Sequence, residues 1–316
     1  MKEVYPVRIL EPDEYKQIRT WMYRNARPLE LARWQYHFEN GNAKPVLETL
    51  AHFQNEDGGF GNALEPDLWN PASSPYVTEM AIDVFRELDL YDPSHPMVKK
   101  ALEFLDSGAY FGETGWLFTI PSNSDHPHAP WWTYSEETNR QNGYHTTGGL
   151  TGYILRCDVA AGGLYHKALS VADGMMDKLL SDGTLDIHEV RACGTFLNDV
   201  IKAGLENRFD VATLRTRLCA LVNASIERDP AKWPFYSMRP TQFIDSKKNP
   251  FYPGNEAIVE TEMDVLLSSR NQEGVWNITW KWEEYPREFA ISERWWQGYW
   301  AIRNLLFLRQ FGRFAQ

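Results

Sequence analysis

Helical segments that end in glycine-containing turns recur along this chain and restrict it to a mostly helical fold. Apolar residues follow helical spacing in most segments of the 316-residue sequence, for example from about Tyr76 to Leu88. Glycine next to Asn or Asp separates the segments, because glycine readily adopts the positive φ values that end a helix. Only the stretch W-N-I-T-W-K-W, which ends at Trp282, alternates like a short strand. We therefore predict an all-α fold.

An aromatic residue follows the glycine of the turn in several copies, which indicates an internal repeat. The copies lie 41 to 68 residues apart, in the range of repeated helical hairpins, and about twelve helices of this kind fit a closed double ring. The turns with the clearest pattern are Gly58-Gly59-Phe60, Gly115-Trp116 and Gly274-Val275-Trp276, and weaker copies are Ser181-Asp182-Gly183 and Asp229 to Trp233.

These turns resemble the QW repeats of squalene-hopene cyclases and the related turns of protein prenyltransferase β subunits. The best match consists of Lys44, Phe53, Gln54, Gly58 and Phe60, with Phe60 in place of the Trp of the repeat. The combination G-G-F-G-x-x-L-E-P-D and P-H-A-P-W-W also looks like a family of bacterial α/α-toroid proteins. The resemblance implies a single-domain (α/α) toroid of about six helical hairpins over residues 1–316, with a cavity at one end of the inner ring.

The catalytic motifs of those families are missing from the sequence. It has neither the D-x-D-D of class II terpene cyclases nor the D-D-x-x-D that holds magnesium and diphosphate in class I cyclases. Cys157-Asp158 and His145-Thr146-Thr147 match the zinc-ligand motifs of prenyltransferases only weakly. We therefore predict no metal site and leave the cofactor open.

Glu65 and Asp67 are the leading catalytic candidates. They follow the Gly58-Gly59 turn in a proline-containing loop, and functional residues concentrate in such loops. Two carboxylates in different environments can divide general acid and general base work. In the alternative interpretation, these carboxylates cap a helix or bind backbone amides of their own loop.

His126 and His128 are the second pair of catalytic candidates. They lie in the longest irregular segment, residues 117–146, which is too aromatic to be disordered. Imidazole suits proton transfer near neutral pH, but Pro127 between the two residues does not favour a shared metal. In the alternative interpretation, the loop is an ordered plug whose histidines bind backbone carbonyls.

The aromatic residues supply candidates for substrate binding. The chain contains 13 Trp, an excess that predicts either aromatic packing between helices or an aromatic-lined cavity. Such rings stabilise carbocations and also stack on sugars. The predicted substrate-binding residues are Phe60, Trp131, Trp132, Trp280, Trp282, Tyr252 and Glu256, although Glu256 also suits a helix cap.

Composition excludes several classes of partner. The net charge of -11 disfavours nucleic acid and anionic membranes as partners. No apolar stretch reaches the length of a membrane span. Three cysteines without a C-x-x-C pair, and the lack of a signal peptide, predict a reduced cytoplasmic setting. The expected partner is a small molecule, either apolar or a sugar.

Three functions fit these observations. The first is an enzyme with an aromatic cavity that transfers a proton to an apolar or isoprenoid-like substrate. The second is a carbohydrate-active hydrolase or lyase, because α/α toroids also host that chemistry. The third is a binding protein without catalysis. The fold alone does not choose among them.

Overall fold

The computed structural model describes residues 8–157, 162–181 and 185–314 and is mostly helical there, as predicted. In the described residues, the only paired strands are the two-residue β1 (Phe111–Gly112) and β2 (Gly115–Trp116), which are antiparallel. The twelve α-helices of these residues are α1 (Pro12–Asn25), α2 (Pro28–Phe38), α3 (Ala43–Leu50), α4 (Pro75–Glu87), α5 (Pro96–Asp106), α6 (Glu136–Gln141), α7 (His145–Arg156), α8 (Gly163–Leu180), α9 (Ile187–Lys202), α10 (Val211–Ser225), α11 (Glu256–Ser268) and α12 (Pro286–Gln310).

The chain forms two compact units. The first unit consists of residues 1–49 and 225–316, and the second consists of residues 50–224. The first unit contains α1, α2, α11 and α12, and the second contains α4 to α9 with the strands.

Helices α4, α7 and α9 of the second unit run parallel, with their N-terminal ends together. At these ends the ring of His145 lies 4.6 Å from that of His188 and 5.6 Å from that of Tyr76. Toward the C-terminal ends, Arg86 and Arg156 both bind Asp199. Consecutive parallel helices need a return segment, and α5 and α8 lie in the connections that provide it.

Glycines in α7 allow the neighbouring helices to approach closely. A Cβ at Gly148 would lie 2.9 Å from the Cβ of Ala192, and one at Gly152 would lie 3.1 Å from Asp199. Both neighbours are on α9, so this helix packs against the backbone of α7. Glycine weakens a helix, and this close packing accounts for its use here.

The turn at Asn55 to Gly59 is held by its own backbone. The Asn55 amide donates to the Gly59 carbonyl at 2.9 Å, and the Gly58 amide donates to the Asn55 carbonyl at 3.0 Å. The same two bonds recur between Asn271 and Val275 and between Gly274 and Asn271. Gly58 and Gly274 have φ values of 90° and 88°, which explains the glycine in each turn.

In the first unit, α2 and α12 run parallel. Gly298 of α12 faces Glu30 near the start of α2, and Arg309 donates to the His37 carbonyl near its end. Glu30 is buried and forms an ion pair with Arg27, whose guanidinium lies over the ring of Trp295.

Two predicted elements are wrong. Residues 276–282 form no strand, because Trp280 and Trp282 pack against aromatic residues instead of a neighbouring strand. The pair Ser292-Glu293 predicts that the last helix begins at Ser292, but this helix begins at Pro286 and Ser292 is buried inside it. The predicted turn copy at Ser181-Asp182-Gly183 and the end of the helix predicted from Thr147 to Ala161 fall largely on residues outside those described.

Candidate functional site

The two loops that carry the predicted catalytic residues meet in the second unit. The Trp69 amide donates to the Pro127 carbonyl at 2.9 Å, and the Ala129 amide donates to the Asp67 carbonyl at 2.8 Å. Leu68 and His128 form a β-bridge between these bonds. The loop after Gly58 and the loop of residues 126–129 are therefore one structural assembly.

Glu65 and Asp67 are both buried inside this assembly. An oxygen of the Glu65 carboxylate accepts a hydrogen bond from the Asp67 amide at 3.1 Å. Each side chain is only 2% exposed. This contact matches the alternative interpretation, in which a carboxylate binds a backbone amide of its own loop. Catalysis by either residue stays a prediction.

His128 is held by two hydrogen bonds within its loop. Its Nδ1 lies 2.6 Å from the His126 carbonyl, and because a carbonyl only accepts, Nδ1 carries the proton. Its Nε2 then accepts from the Thr133 hydroxyl at 3.0 Å. His126 itself is partly exposed. Both imidazole nitrogens of His128 are thus used to hold the loop, and a catalytic role of either histidine stays a prediction.

Trp132 belongs to an aromatic cluster at the N-terminal ends of α4, α7 and α9. We use "aromatic cluster" for Tyr76, Phe118, Trp132, His145 and His188. The Trp132 ring lies 4.4 Å from Tyr76 and 4.8 Å from Phe118. The His145 ring is stacked between Phe118 at 4.8 Å and His188 at 4.6 Å. The neighbouring Trp131, also predicted to bind substrate, is 40% exposed.

Both imidazoles of the cluster are held neutral. Burial lowers the pKa of His145 well below its usual value, and the charges of His188 and Arg191 lower it further. Burial and the charge of Arg191 also lower the pKa of His188. A neutral imidazole can accept a proton or share a hydrogen bond, but it does not attract an anion.

Glu79 lies one helical turn after Tyr76 and is the most unusual carboxyl group of the second unit. It is partly exposed, and none of the described residues forms a hydrogen bond or ion pair with it. Burial of the carboxyl group raises its pKa well above the usual value, and the charge of Asp83 adds to this, while Arg86 and Arg191 oppose it. Glu79 therefore binds its proton more tightly than an ordinary glutamate and still has accessible surface.

The position of Glu79 depends on a glycine. A Cβ at Gly149 would lie 2.0 Å from a carboxyl oxygen of Glu79, so the Glu79 side chain lies directly over the backbone of α7. The Gly149 carbonyl accepts a hydrogen bond from Arg86 at 2.5 Å. A larger residue at 149 would move Glu79 away from this position.

An ion network below Glu79 joins the three parallel helices. Arg86 of α4 donates from Nε and Nη2 to one oxygen of Asp199 at 3.0 and 2.8 Å. Arg156 of α7 binds the other oxygen at 3.3 Å. The Asp199 side chain is almost fully buried. Because the buried Asp199 charge is paired with both arginines, it holds α4, which carries Tyr76 and Glu79, against α7 and α9.

Tyr76 shares the unusual environment of Glu79. Its pKa is raised well above the usual value, first by burial and then by the negative charge of Glu65. The side chain keeps some accessible surface, and its hydroxyl has no hydrogen-bond partner among the described residues. Tyr76 and Glu79 thus present two protonated oxygens on one face of α4.

The remaining predicted residues lie elsewhere. Phe60 is fully buried and packs on Phe85. Trp282, in the first unit, is 1% exposed and packs on Phe289. The other three, also in the first unit, are Trp280 beside Trp296, Tyr252 beside Phe311, and Glu256 at the start of α11.

Glu256 is stabilised as a helix-cap residue. Backbone amides at the start of α11 lower its pKa. This agrees with the capping interpretation.

Other chemistry is sparse in the described part of the chain. No group of three or more His, Cys, Asp or Glu there is arranged to hold a metal ion. Burial raises the pKa of the Cys157 and Cys193 thiols to about 12, so both are unreactive.

No described helix has the length and apolarity needed to cross a bilayer. Two surface pockets of the second unit, about 230 and 200 Å³ in volume, are lined by residues outside the aromatic cluster.

Comparison with protein-family models, curated proteins and solved structures finds no match to this chain. The resemblance of its turns to cyclase repeats therefore stays a prediction.

Sequence reasoning missed Tyr76, Glu79, His145 and His188. A signal was present in the run T-T-G-G-L-T-G of α7, because three glycines within one helix indicate close approach of other groups. Glu79 has no such signal of its own, since a glutamate on an amphipathic helix normally faces solvent.

Proposed function

We propose that this protein is an enzyme that transfers protons on a hydroxylated substrate of the carbohydrate class, with Glu79 as the general acid. The observation that carries the proposal is the state of Glu79. Its carboxyl group has a raised pKa, the residue keeps accessible surface, and it has no hydrogen-bond or ion-pair partner among the described residues. Perturbed carboxyl groups of this kind concentrate at catalytic sites.

Asp83 is the partner that we assign to Glu79. It lies four residues later on α4, is exposed, and forms an ion pair with Arg86 at 2.8 Å. Residues at this spacing share one face of a helix. The two carboxyl groups thus differ in environment, which is the arrangement that divides acid and base roles in sugar chemistry.

Polar contacts favour a carbohydrate over an isoprenoid. The charges of Asp83, Arg86 and Arg191 all act on the pKa of Glu79, Asp83 raising it and the two arginines lowering it. Hydroxyl groups can bond to charges of both signs, whereas a hydrocarbon can bond to neither. A polar substrate gains hydrogen bonds from this face, and the aromatic cluster beside it offers rings of the kind that contact sugars.

A terpenoid cyclase-like function, on an apolar or isoprenoid-like substrate, is the second candidate. It is favoured by the contact of Tyr76 with Trp132 at 4.4 Å, which puts aromatic rings one helical turn from a protonated carboxyl group. Aromatic faces stabilise carbocations. The toroid predicted from the turns would suit either function, and the parallel α4, α7 and α9 are compatible with it. The free thiols fit the proposed cytoplasmic setting.

The test is a substrate screen of the wild-type protein and matched variants. Wild type, Glu79→Gln and Glu103→Gln are incubated with nitrophenyl glycosides, polyuronates, geranylgeranyl diphosphate and squalene. Glu103 is a suitable control because it is an exposed glutamate of the same unit. We expect turnover of a glycoside or polyuronate that Glu79→Gln lowers at least roughly a hundredfold and Glu103→Gln leaves intact.

Other outcomes overturn the proposal in distinct ways. Turnover of an isoprenoid that depends on Glu79 selects the second candidate. Carbohydrate turnover that Glu79→Gln leaves unchanged removes Glu79 as the acid. Binding of a sugar without any turnover favours a non-catalytic binding protein.

A further inference from the structure

Two buried side chains of the aromatic cluster have polar atoms without a partner. Trp132 is 3% exposed and His145 is 8% exposed. The Nε1 of Trp132 and the Nδ1 of His145 make no hydrogen bond to any described residue. Buried polar groups are almost always paired, so two such atoms in one cluster point to a missing group.

The two atoms belong to the same small region. Both rings contact Tyr76, at 4.4 Å for Trp132 and 5.6 Å for His145. Both also contact Phe118 at 4.8 Å. This region adjoins Glu79, which follows Tyr76 by one turn of α4. Tyr76 therefore links Glu79, along α4, to the rings that carry the two unpartnered atoms.

The chemistry of the two atoms selects the missing group. The indole N–H of Trp132 can only donate, so it needs an acceptor. Phe118 and His188 cover the faces of the His145 ring, which leaves only its edge for contact. A neutral imidazole nitrogen accepts from, or donates to, a hydroxyl group. A hydroxyl can satisfy either of these atoms, whereas an apolar group satisfies neither.

We propose that Trp132 Nε1 and His145 Nδ1 form a subsite that binds hydroxyl groups of a pyranose ring. This inference rests on the carbohydrate-class function proposed above and extends it by placing one end of the substrate. In the present conformation both atoms are closed to solvent. Trp132 ends the short 3₁₀ helix Pro130–Trp132, whose first two residues are exposed, and the proposal requires this segment to move to admit a sugar.

The test measures binding directly, independently of turnover. Tryptophan indole N–H signals are recorded by ¹⁵N NMR and assigned with Trp132→Phe and Trp131→Phe. The probes are methyl β-glucopyranoside, methyl β-galactopyranoside and methyl β-xylopyranoside, and tetrahydropyran serves as the ring without hydroxyls. Trp300→Phe is the control, because Trp300 is a partly exposed tryptophan of the first unit and is not among the predicted substrate-binding residues.

We expect at least one pyranoside to shift the Trp132 signal and tetrahydropyran to leave it in place. Trp132→Phe and His145→Phe should each weaken the binding of that pyranoside roughly five- to tenfold, and Trp300→Phe should change it less than about twofold. The proposal is overturned if no pyranoside moves the Trp132 signal. It is also overturned if both variants lower thermal stability but keep the affinity, because a structural water then fills the site.

Failure of the subsite and failure of the proposed acid give different results. If Glu79 is not the acid, Glu79→Gln retains turnover, while the Trp132 signal still responds to the pyranoside. If the subsite is wrong, glycosides are turned over with Glu79 but without any response of Trp132.

Discussion

Replacing Glu79 by glutamine should make the folded protein progressively more stable than wild type as the pH rises. Glutamine resembles the protonated carboxyl group in shape and cannot ionise. Burial and the charge of Asp83 raise the pKa of Glu79 in the folded state, whereas an unfolded chain keeps the usual value of 4.5. The folded wild-type protein thus holds a proton that the unfolded chain releases.

The sign and size follow from proton linkage. Above pH 4.5 the folded state binds one proton more than the unfolded state, so wild-type stability from this group falls as the pH rises. The decrease has a slope of up to about 1.4 kcal/mol per pH unit and ends at the folded-state pKa. Partial exposure of Glu79 makes the rise of its folded-state pKa smaller. The pH range between the unfolded-state and folded-state pKa values is then narrower, but the slope within that range is unchanged.

Other titrating groups act in both proteins and cancel in the difference. The lowered pKa values of His145 and His188 contribute stability that is present above the usual value of 6.5 and is lost as the pH falls toward their folded-state values. In wild type alone this trend opposes that of Glu79. The comparison of Glu79→Gln with wild type isolates the carboxyl group.

The assay is urea denaturation of wild type, Glu79→Gln and Glu103→Gln at about pH 5, 6, 7 and 8. The free energy of unfolding of Glu79→Gln relative to wild type should increase over at least one pH unit, whereas that of Glu103→Gln should stay flat. A flat difference for Glu79→Gln refutes the reasoning, because Glu79 is then ionised in both states. A difference that falls with pH refutes it as well, since Arg86 and Arg191 then stabilise the carboxylate.

Three further substitutions test the support of the site. Gly149→Ala should displace the Glu79 side chain, lower turnover of any substrate found in the screen, and abolish the pH-dependent difference described above. Gly58→Ala should destabilise the second unit by about 2–4 kcal/mol in urea unfolding, because its Cβ would lie 2.1 Å from a carbonyl of α5 and its φ is 90°. Asp199→Asn should cost about 3–5 kcal/mol in the same assay, since it leaves Arg86 with less compensation in a buried network; an effect below about 1 kcal/mol would contradict that role.

Local signals predicted most of the helices. Proline occupies the first helical position at Pro28, Pro75 and Pro96, and helical spacing in the sequence predicts helices from Pro28, Tyr76 and Met97. The wrong prediction of where α12 begins has the same physical basis. Ser292 with Glu293 resembles a helix cap, but Pro286 starts the helix earlier and Ser292 becomes an interior residue.

Alternation failed as a strand signal at residues 276–282. A strand requires a partner for its backbone, and the described residues provide none there. The tryptophans of this stretch follow aromatic neighbours instead: Trp280 contacts Trp296, and Trp282 contacts Phe289, both on α12. Period-two patterns of large aromatic residues therefore also arise in loops that pack on a helix.

The candidate site was only partly predictable, because its parts are distant in sequence. The irregular segments were recognised as functional candidates, but their contact at Trp69 and Pro127 depends on tertiary structure. The perturbation of Glu79 depends on how Gly149 and Arg191 lie around it, which no local pattern contains. A sequence can identify unusual loops, whereas an unusual pKa needs three-dimensional neighbours.

Glu65, predicted as catalytic, acts on the site through its charge. Its carboxylate binds the Asp67 amide within the loop, and its negative charge raises the pKa of Tyr76 beyond the effect of burial. Tyr76 therefore keeps its proton and remains a hydrogen-bond donor one turn before Glu79. Helix α4 holds Tyr76 and Glu79, and the charge of Glu65 in the loop acts on Tyr76. A carboxylate buried in the loop assembly therefore bears on the proposed chemistry through the tyrosine that precedes Glu79 by one helical turn.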